Sequence, residues 1–198
     1  RSKVPDLAAL RGRRVGVGPE GSGVHALATQ LLQANGVQAG NSTLLPLASR
    51  EAATKLIHKQ IDAMLVVGAP ESNLVGELIR TQGVQLLSFK QAEAYTRQFP
   101  FLSHITLPRG VFDLGRHVPA DDVDLIAPTA NLVVRDDIHP ALINLLMDAA
   151  TDITGDAGML RKEGQFPSPK GVDIPLSEDA ERYMKTGDRK STRLNSSH

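Results

Sequence analysis

The chain has 198 residues, 41% hydrophobic and 22% charged, with Lys+Arg 22 balancing Asp+Glu 22 to a formal charge of +0. That length suits one ordinary domain or two small lobes at about 150 residues per domain. The neutral balance, with aromatics at 4% and Trp 0, argues against a nucleic-acid partner, which needs basic surface and stacking rings. The absence of cysteine excludes disulfides, thiolate metal sites and a cysteine nucleophile while leaving the compartment open. No apolar run approaches the roughly 20 residues of a membrane helix. The opening Arg1-Ser2-Lys3-Val4-Pro5 carries neither an initiator Met nor a basic-then-apolar signal, so the native chain is expected to begin upstream.

Arg14 to Val17 reads as a strand. Ser22 then caps a helix whose Val24, Leu27, Ala28, Leu31 and Leu32 form one apolar stripe, stopped at Asn35-Gly36. Thr43 to Leu47 is the next strand, and Ser49 is read as the cap of a helix carrying Ala52, Ala53, Leu56 and Ile57. The apolar run Ala63 to Val67 predicts a strand covered on both faces. Ser72 caps a third helix with Leu74, Val75, Leu78 and Ile79, before a strand over Val84 to Ser88. This alternation predicts a mainly parallel sheet with helices on both faces. From Lys90 the pattern loosens, leaving strand signals at Ile105–Leu107, Val123–Ala127 and Asn131–Val134. His139-Pro140 opens a helix with proline where its missing N–H costs nothing; its predicted buried face is Leu142, Leu145, Leu146, Ala149 and Ile153, and its stop Gly155. Beyond Gly158, "FPSPKGVDIP" reads as extended and Glu178 to Lys185 as a short helix.

Gly16-x-Gly18-x-x-Gly21 spells a dinucleotide-binding turn. That fingerprint wants an acidic residue at the end of the second strand, where this chain has Leu47-Ala48-Ser49-Arg50, and Pro19 stiffens the turn. A sugar-phosphate contact through Arg50 is the form that a nucleotide reading would take. No Gly-Lys-Ser/Thr follows, which excludes a Walker loop. What remains is an anion-binding loop: the N–H groups of Gly21, Ser22 and Gly23 at a positive helix end. A tight turn with no ligand fits this loop equally well by itself. The second loop, Gly68, Ala69 and Pro70, shifts the balance, because it too lies at the carboxyl end of a parallel strand, where open α/β sheets bind ligands. His25, His58, His104, His117 and His139 are scattered without metal-ligand spacing, and "ADDVD" (120–124) reads as a solvated turn. Around Ser22, Glu20 and Val24 replace the outer glycines of a nucleophile elbow. No catalytic residue, metal site or cofactor is expected.

Four stretches in the same order, "DLAALRGRRVGVGPEGSGVHALATQLLQANG", "IDAMLVVGAPES", "FPFLSHITLPRG" and "TANLVVRDDIHPALINLLMDA", resemble the TAXI-type (TRAP-associated extracytoplasmic immunogenic) solute receptors of tripartite ATP-independent transporters, over most of residues 6 to 155. The resemblance implies an α/β, type II periplasmic-binding-protein-like fold with one nearly complete lobe and the returning part of the other. Residues 6–128 would be mostly the second lobe, and 129–187 the return to an incomplete first lobe with a C-terminal extension. It further implies a non-enzymatic, extracytoplasmic receptor for a small organic or amino acid, periplasmic or membrane-anchored, working with membrane permease subunits. The site residues it implies are Gly21, Ser22 and Gly23, then Gly68, Ala69 and Pro70, then the turn at Pro108 and Gly110, where Phe112 replaces the family's frequent tyrosine. An effector-sensing domain of a transcription regulator and a nucleotide-dependent enzyme fragment stand as the alternatives. Residues 188–198, "DRKSTRLNSSH", resemble the in-frame translation of a short-read sequencing adapter, so the native sequence is expected to differ after Gly187. A disordered native terminus has the same composition.

Overall fold

A computed structural model describes residues 4–160, 163, 165–169 and 174–186; the segment 188–198 lies outside these, as do residues 170–173 of the extended stretch. The described residues divide into two compact units, one formed by those up to Gln98 with His104–Ala127, the other by Phe99–Ser103 with those from Pro128 onward.

In the first unit, a 3-10 turn over Leu7–Leu10 is capped by Asp6, whose carboxylate accepts from the Ala9 N–H at 3.0 Å. There follow β1 (Arg14–Gly16), α1 (Gly23–Ala34), β2 (Thr43–Leu45), α2 (Ser49–Ile57), β3 (Ala63–Met64), α3 (Asn73–Arg80) and α4 (Ala92–Gln98). The three strands form one sheet in the order β2-β1-β3. Both pairings are parallel, with Gly16 opposite Leu45 on one side and Met64 on the other. Val15 of the central strand and Val17 just beyond it are buried with Ala28, Leu31 and Leu32 of α1 and with Ala52 and Ala53 of α2. Gly16 is a packing position: a Cβ there would stand 3.2 Å from the Cβ of Ala52 and 3.4 Å from that of Met64.

Several expectations are corrected. Only Ala63 and Met64 of the run to Val67 are strand, the Leu65 N–H adding a last bond to the Gly16 carbonyl at 2.9 Å, and Val67 is exposed. The run is an edge strand because Val84 to Ser88, its expected neighbour, is not a strand. That segment instead serves β5 (Val123–Pro128): the Phe89 N–H donates to the Asp124 carbonyl at 2.8 Å, and the Asp124 N–H to Ser88 Oγ at 3.0 Å. Ser49 is the first helical residue of α2 rather than its cap; Ala48 takes the cap position, with no side-chain hydrogen bond. Helix α4 carries one buried residue, Ala92, and so offers no apolar period to read. Its Tyr95 donates to Asn35 Oδ1 at 2.8 Å and meets Phe89 edge to face.

A second sheet pairs β4 (Leu102–Leu107) with β5; the divisions between the units fall within these strands. In the second unit, α5 (Pro140–Thr154) is capped by His139, whose Nδ1 accepts from the Ala141 N–H at 3.1 Å. It is joined to α6 (Glu178–Thr186) by a hydrogen bond from Tyr183 Oη to Asp148 Oδ1. The face that α5 buries is Ile143 and Met147, an i,i+4 pair, whereas Leu142, Leu145 and Ile153 of the expected face are 50%, 62% and 75% exposed. The apolar residues of α5 cover more of its circumference than a single stripe, so periodicity alone does not select the packed side. Asn131–Val134 forms no strand; Leu132 and Val133 are exposed.

The start of the sheet is tied by a charged clasp. Arg14 Nε and the Arg14 backbone N–H both donate to Asp62 Oδ2 at 3.0 Å, Arg14 Nη2 donates to Oδ1 at 3.1 Å, and the Asp62 N–H donates to the Arg14 carbonyl at 2.8 Å. The guanidinium hydrogen bonds hold the Asp62 carboxyl below the usual carboxylate range. A lowered carboxylate contributes stability above its unfolded-state value of about 3.9 and loses that contribution as pH falls through its lower folded-state value. Asp62→Asn is therefore expected to lower thermal stability at neutral pH and to flatten the acid limb below about pH 4, as read from melting curves across pH. Wild-type and variant curves running parallel through that range would contradict this assignment.

Candidate functional site

Parallel pairing sends the turn after each strand of β2-β1-β3 to one edge of the sheet. Residues 17–22 leave β1 for α1, residues 46–48 leave β2 for α2, and residues 65–72 leave β3 for α3. The edge therefore collects the amino-terminal ends of three helices from strands about 4.8 Å apart. Each such end carries first-turn N–H groups with no partner inside its helix and a partial positive charge.

The loop between β1 and α1 is rigid. Pro19 to Ser22 is a four-residue turn closed by the Ser22 N–H on the Pro19 carbonyl at 3.1 Å, and Gly21 in its third position has φ +76. Gly18 has φ +81, and a Cβ there would meet Val24 Cγ1 at 2.9 Å and the His25 nitrogen at 3.2 Å. Ser22 Oγ accepts from the His25 N–H at 3.2 Å and donates to the Pro19 carbonyl at 2.6 Å. The one proton of the Ser22 hydroxyl is thus committed within the loop. Among the described residues, the N–H groups of Gly21, Gly23 and Val24 donate to no protein acceptor. A Cβ on Gly23 would meet no atom within 4 Å, so the missing side chain leaves space beside these donors.

At the β3–α3 turn, Ser72 caps α3 by accepting from the Val75 N–H at 3.4 Å, and its own N–H donates to the Ala69 carbonyl at 3.0 Å. Gly68 and Ala69 are exposed and Pro70 half-buried. A Cβ on Gly68 would make only ordinary contacts, at 3.9 Å to Ser72 Oγ and 4.0 Å to Val75 Cγ2. The topology thus places Gly21, Ser22 and Gly23 at the same edge as Gly68, Ala69 and Pro70.

Pro108 and Gly110 belong to a different element, the connection after β4. Gly110 is buried with φ +76, and its N–H donates to the Pro119 carbonyl at 2.9 Å. No strand pairing or hydrogen bond among the described residues joins this turn to the other two loops. "ADDVD" divides between roles: Asp122 Oδ1 accepts from the Arg109 N–H at 2.7 Å, and Asp124 Oδ1 pairs with His104 Nε2 at 2.8 Å.

Sequence reasoning missed the third helix end. With Ala48 as its cap residue, α2 has no side-chain acceptor for its first-turn N–H groups, unlike α1 and α3 with their serines. Arg50 stands in that first turn with its side chain 73% exposed and Nη1 3.8 Å from Glu77 Oε2. The alternation of strands and helices already implied this site, since every turn of a parallel β-α-β series returns to the same edge. Among the described residues, no group of three or more His, Cys, Asp or Glu side chains is placed to hold a metal ion, and no helix is long and apolar enough to cross a membrane.

Parallel sheet and crossover helices make this a mixed α/β chain. It matches the NMT1-like family over residues 1–185 and belongs to it, a ligand-binding family with a periplasmic-binding-protein-like fold.

The loop geometry is expected to depend on Gly18 more than on Gly21. Gly18→Ala combines a left-handed backbone with a collision and should destabilise the protein by about 1–3 kcal/mol. Gly21→Ala, where a Cβ meets no atom within 4 Å, carries only the backbone cost of about 1–2 kcal/mol. Denaturant unfolding of the two variants checks the order; a Gly18→Ala protein as stable as the wild type would contradict the described turn.

Proposed function

We propose that this protein is the extracytoplasmic solute-binding subunit of a secondary transporter. It captures a small carboxylate-bearing organic or amino acid at the carboxyl edge of the β2-β1-β3 sheet and delivers it to membrane permease subunits. The observation that carries this reading is the set of unengaged N–H donors at Gly21, Gly23 and Val24, beside two further helix ends at one sheet edge, in a member of a ligand-binding family. A carboxylate there gains charge-assisted hydrogen bonds of about 1.5–3 kcal/mol each where water is excluded. Arg50, in the first turn of α2, stands at that edge with its charge shared with Glu77. Ser22 contributes chiefly by shaping the loop, because its hydroxyl proton lies on Pro19.

The proposed role is binding without chemistry. The proline-glycine turn at Pro108 and Gly110 belongs to the proposed ligand site through the family resemblance, and in this chain its visible role is to turn the backbone after β4. Periplasmic or membrane-anchored residence follows from the transporter role.

Calorimetric titration with a panel of mono- and dicarboxylates and amino acids, each beside its carboxamide counterpart, tests the reading. Carboxylates are expected to bind at least about tenfold tighter than the amides, the worth of one charge-assisted bond. Equal affinity for acids and amides, or micromolar binding of NAD or ATP in place of acids, would contradict it.

A further inference from the structure

Asn35 is the one asparagine in the sequence followed by glycine. That pair is chemically labile, because glycine has no side chain to hinder its own backbone nitrogen as it turns back on the asparagine amide. In the reaction the Gly36 nitrogen attacks Asn35 Cγ, the Cγ–Nδ2 bond breaks, and ammonia leaves with the proton that the Gly36 nitrogen gives up. Water then opens the five-membered imide at either carbonyl, leaving Asp or iso-Asp in place of the asparagine.

Here the pair ends α1, and every group that the reaction uses is engaged. Asn35 Nδ2 donates to the Leu31 carbonyl at 2.8 Å. A carbonyl only accepts, so this bond fixes the orientation of the amide and leaves Oδ1 to the Tyr95 hydroxyl, which donates to it at 2.8 Å. The Gly36 N–H donates to the Gln33 carbonyl at 2.9 Å. With ψ of 11 at Asn35, the Gly36 nitrogen is nearly eclipsed with the Asn35 nitrogen and turned away from Cβ, whereas imide closure needs it eclipsed with Cβ. Two of these three bonds are local to a helix end, where opening is easiest. The Tyr95 bond is the tertiary one, and its ring is braced edge to face on Phe89 at 5.5 Å. Burial pushes the Tyr95 hydroxyl above its usual range, so it stays a donor under the mildly alkaline conditions that speed attack on the amide.

We propose that Asn35 is a latent deamidation site that the Tyr95 hydroxyl holds shut, so that conversion to Asp and iso-Asp proceeds in proportion to how often α4 releases the side chain. Conversion has a structural consequence. Arg11 Nε and Nη2 donate to the carbonyls of Gly36 and Asn35 at 3.1 and 3.3 Å, and the fully buried Val37 donates its N–H to the Leu32 carbonyl at 2.9 Å. An iso-Asp link carries the main chain through Cβ and Cγ, one methylene longer, and turns the Asn35 carbonyl that Arg11 holds into part of a free carboxylate. Either product also places a negative charge at the carboxyl end of α1, where the helix dipole disfavours it. Deamidation thus loosens the joint of α1 with α4 and the 3-10 turn, at the end of α1 away from the ligand edge.

The test incubates the full chain in warm, mildly alkaline buffer and follows the peptide containing Asn35 by mass spectrometry, with iso-Asp separated from Asp by chromatography. The folded wild type is expected to convert at least about tenfold more slowly than the same chain unfolded in urea, because more than one hydrogen bond must open. Tyr95→Phe keeps the ring and removes the donor; it should speed conversion about fivefold in the folded protein, the weight of one hydrogen bond, and leave the rate in urea unchanged. Phe89→Leu, which removes the brace, should shift the folded rate in the same direction. Gly18→Ala, which strains the opposite end of α1, should stay within about twofold of the wild type, because the opening is local. A Tyr95→Phe protein converting at the wild-type rate would overturn the proposal, and where that variant does not fold, Phe89→Leu at the wild-type rate does so. Equal acceleration by Gly18→Ala would make global unfolding the route and overturn it as well, as would an Asn35 that persists unchanged in the unfolded chain.

Discussion

Parallel strand pairing is the constraint from which the rest of this protein's first unit follows. Strands that run the same way must be joined by crossovers, and each crossover here is a helix returning over the sheet. Three consecutive turns therefore open on one edge, and each delivers a helix amino terminus there. The sequence spends its special residues on that geometry: Gly16 lets α2 approach the central strand, Gly18 and Gly21 supply left-handed backbone, and Ser22 and Ser72 cap the helices that follow. Arg14 and Asp62 hold β1 and β3 together at the opposite ends of the same strands, so the clasp keeps the sheet in register without occupying the ligand edge.

In the β1–α1 loop the Pro19 carbonyl is engaged by Ser22 and the Gly18 carbonyl lies against the His25 ring, while the first-turn N–H groups of α1 have no partner inside the helix. An unpaired backbone donor is costly when dry and cheap when wet, so such groups persist at a surface that exchanges water for a ligand. The turn at Gly110 shows the contrasting case: its N–H is bonded to Pro119 and its left-handed residue is buried, as expected for a turn that shapes the chain.

Much of this architecture is legible in the sequence because helix stripes and caps are local signals. Leu31, Leu32 and Ala28 fall on the buried face of α1 as their spacing requires, and Ser22 and Ser72 cap where a serine before an apolar period should. What the sequence does not carry is the neighbour. The run Ala63 to Val67 reads as a covered strand, yet its burial depends on a partner that Val84 to Ser88 does not provide. Asn131–Val134 has strand-forming side chains but no ladder, and α5 has enough leucines to suit two faces, of which Ile143 and Met147 take the packed one. At the site, the shift of one residue from Ser49 to Ala48 decides whether a helix end is capped or open, and propensity does not resolve one residue. The contact of the His25 ring with the Gly18 carbonyl exists only once the loop has folded.

A crystal structure of the protein grown with a dicarboxylate tests the central claim most directly. A carboxylate oxygen is expected within about 2.7–3.2 Å of the backbone nitrogens of Gly23 and Val24, with the His25–Gly18 contact intact. A carboxylate bound instead at the Gly110 turn, or contacts at the sheet edge made by side chains with Gly21, Gly23 and Val24 still unengaged, would contradict the account.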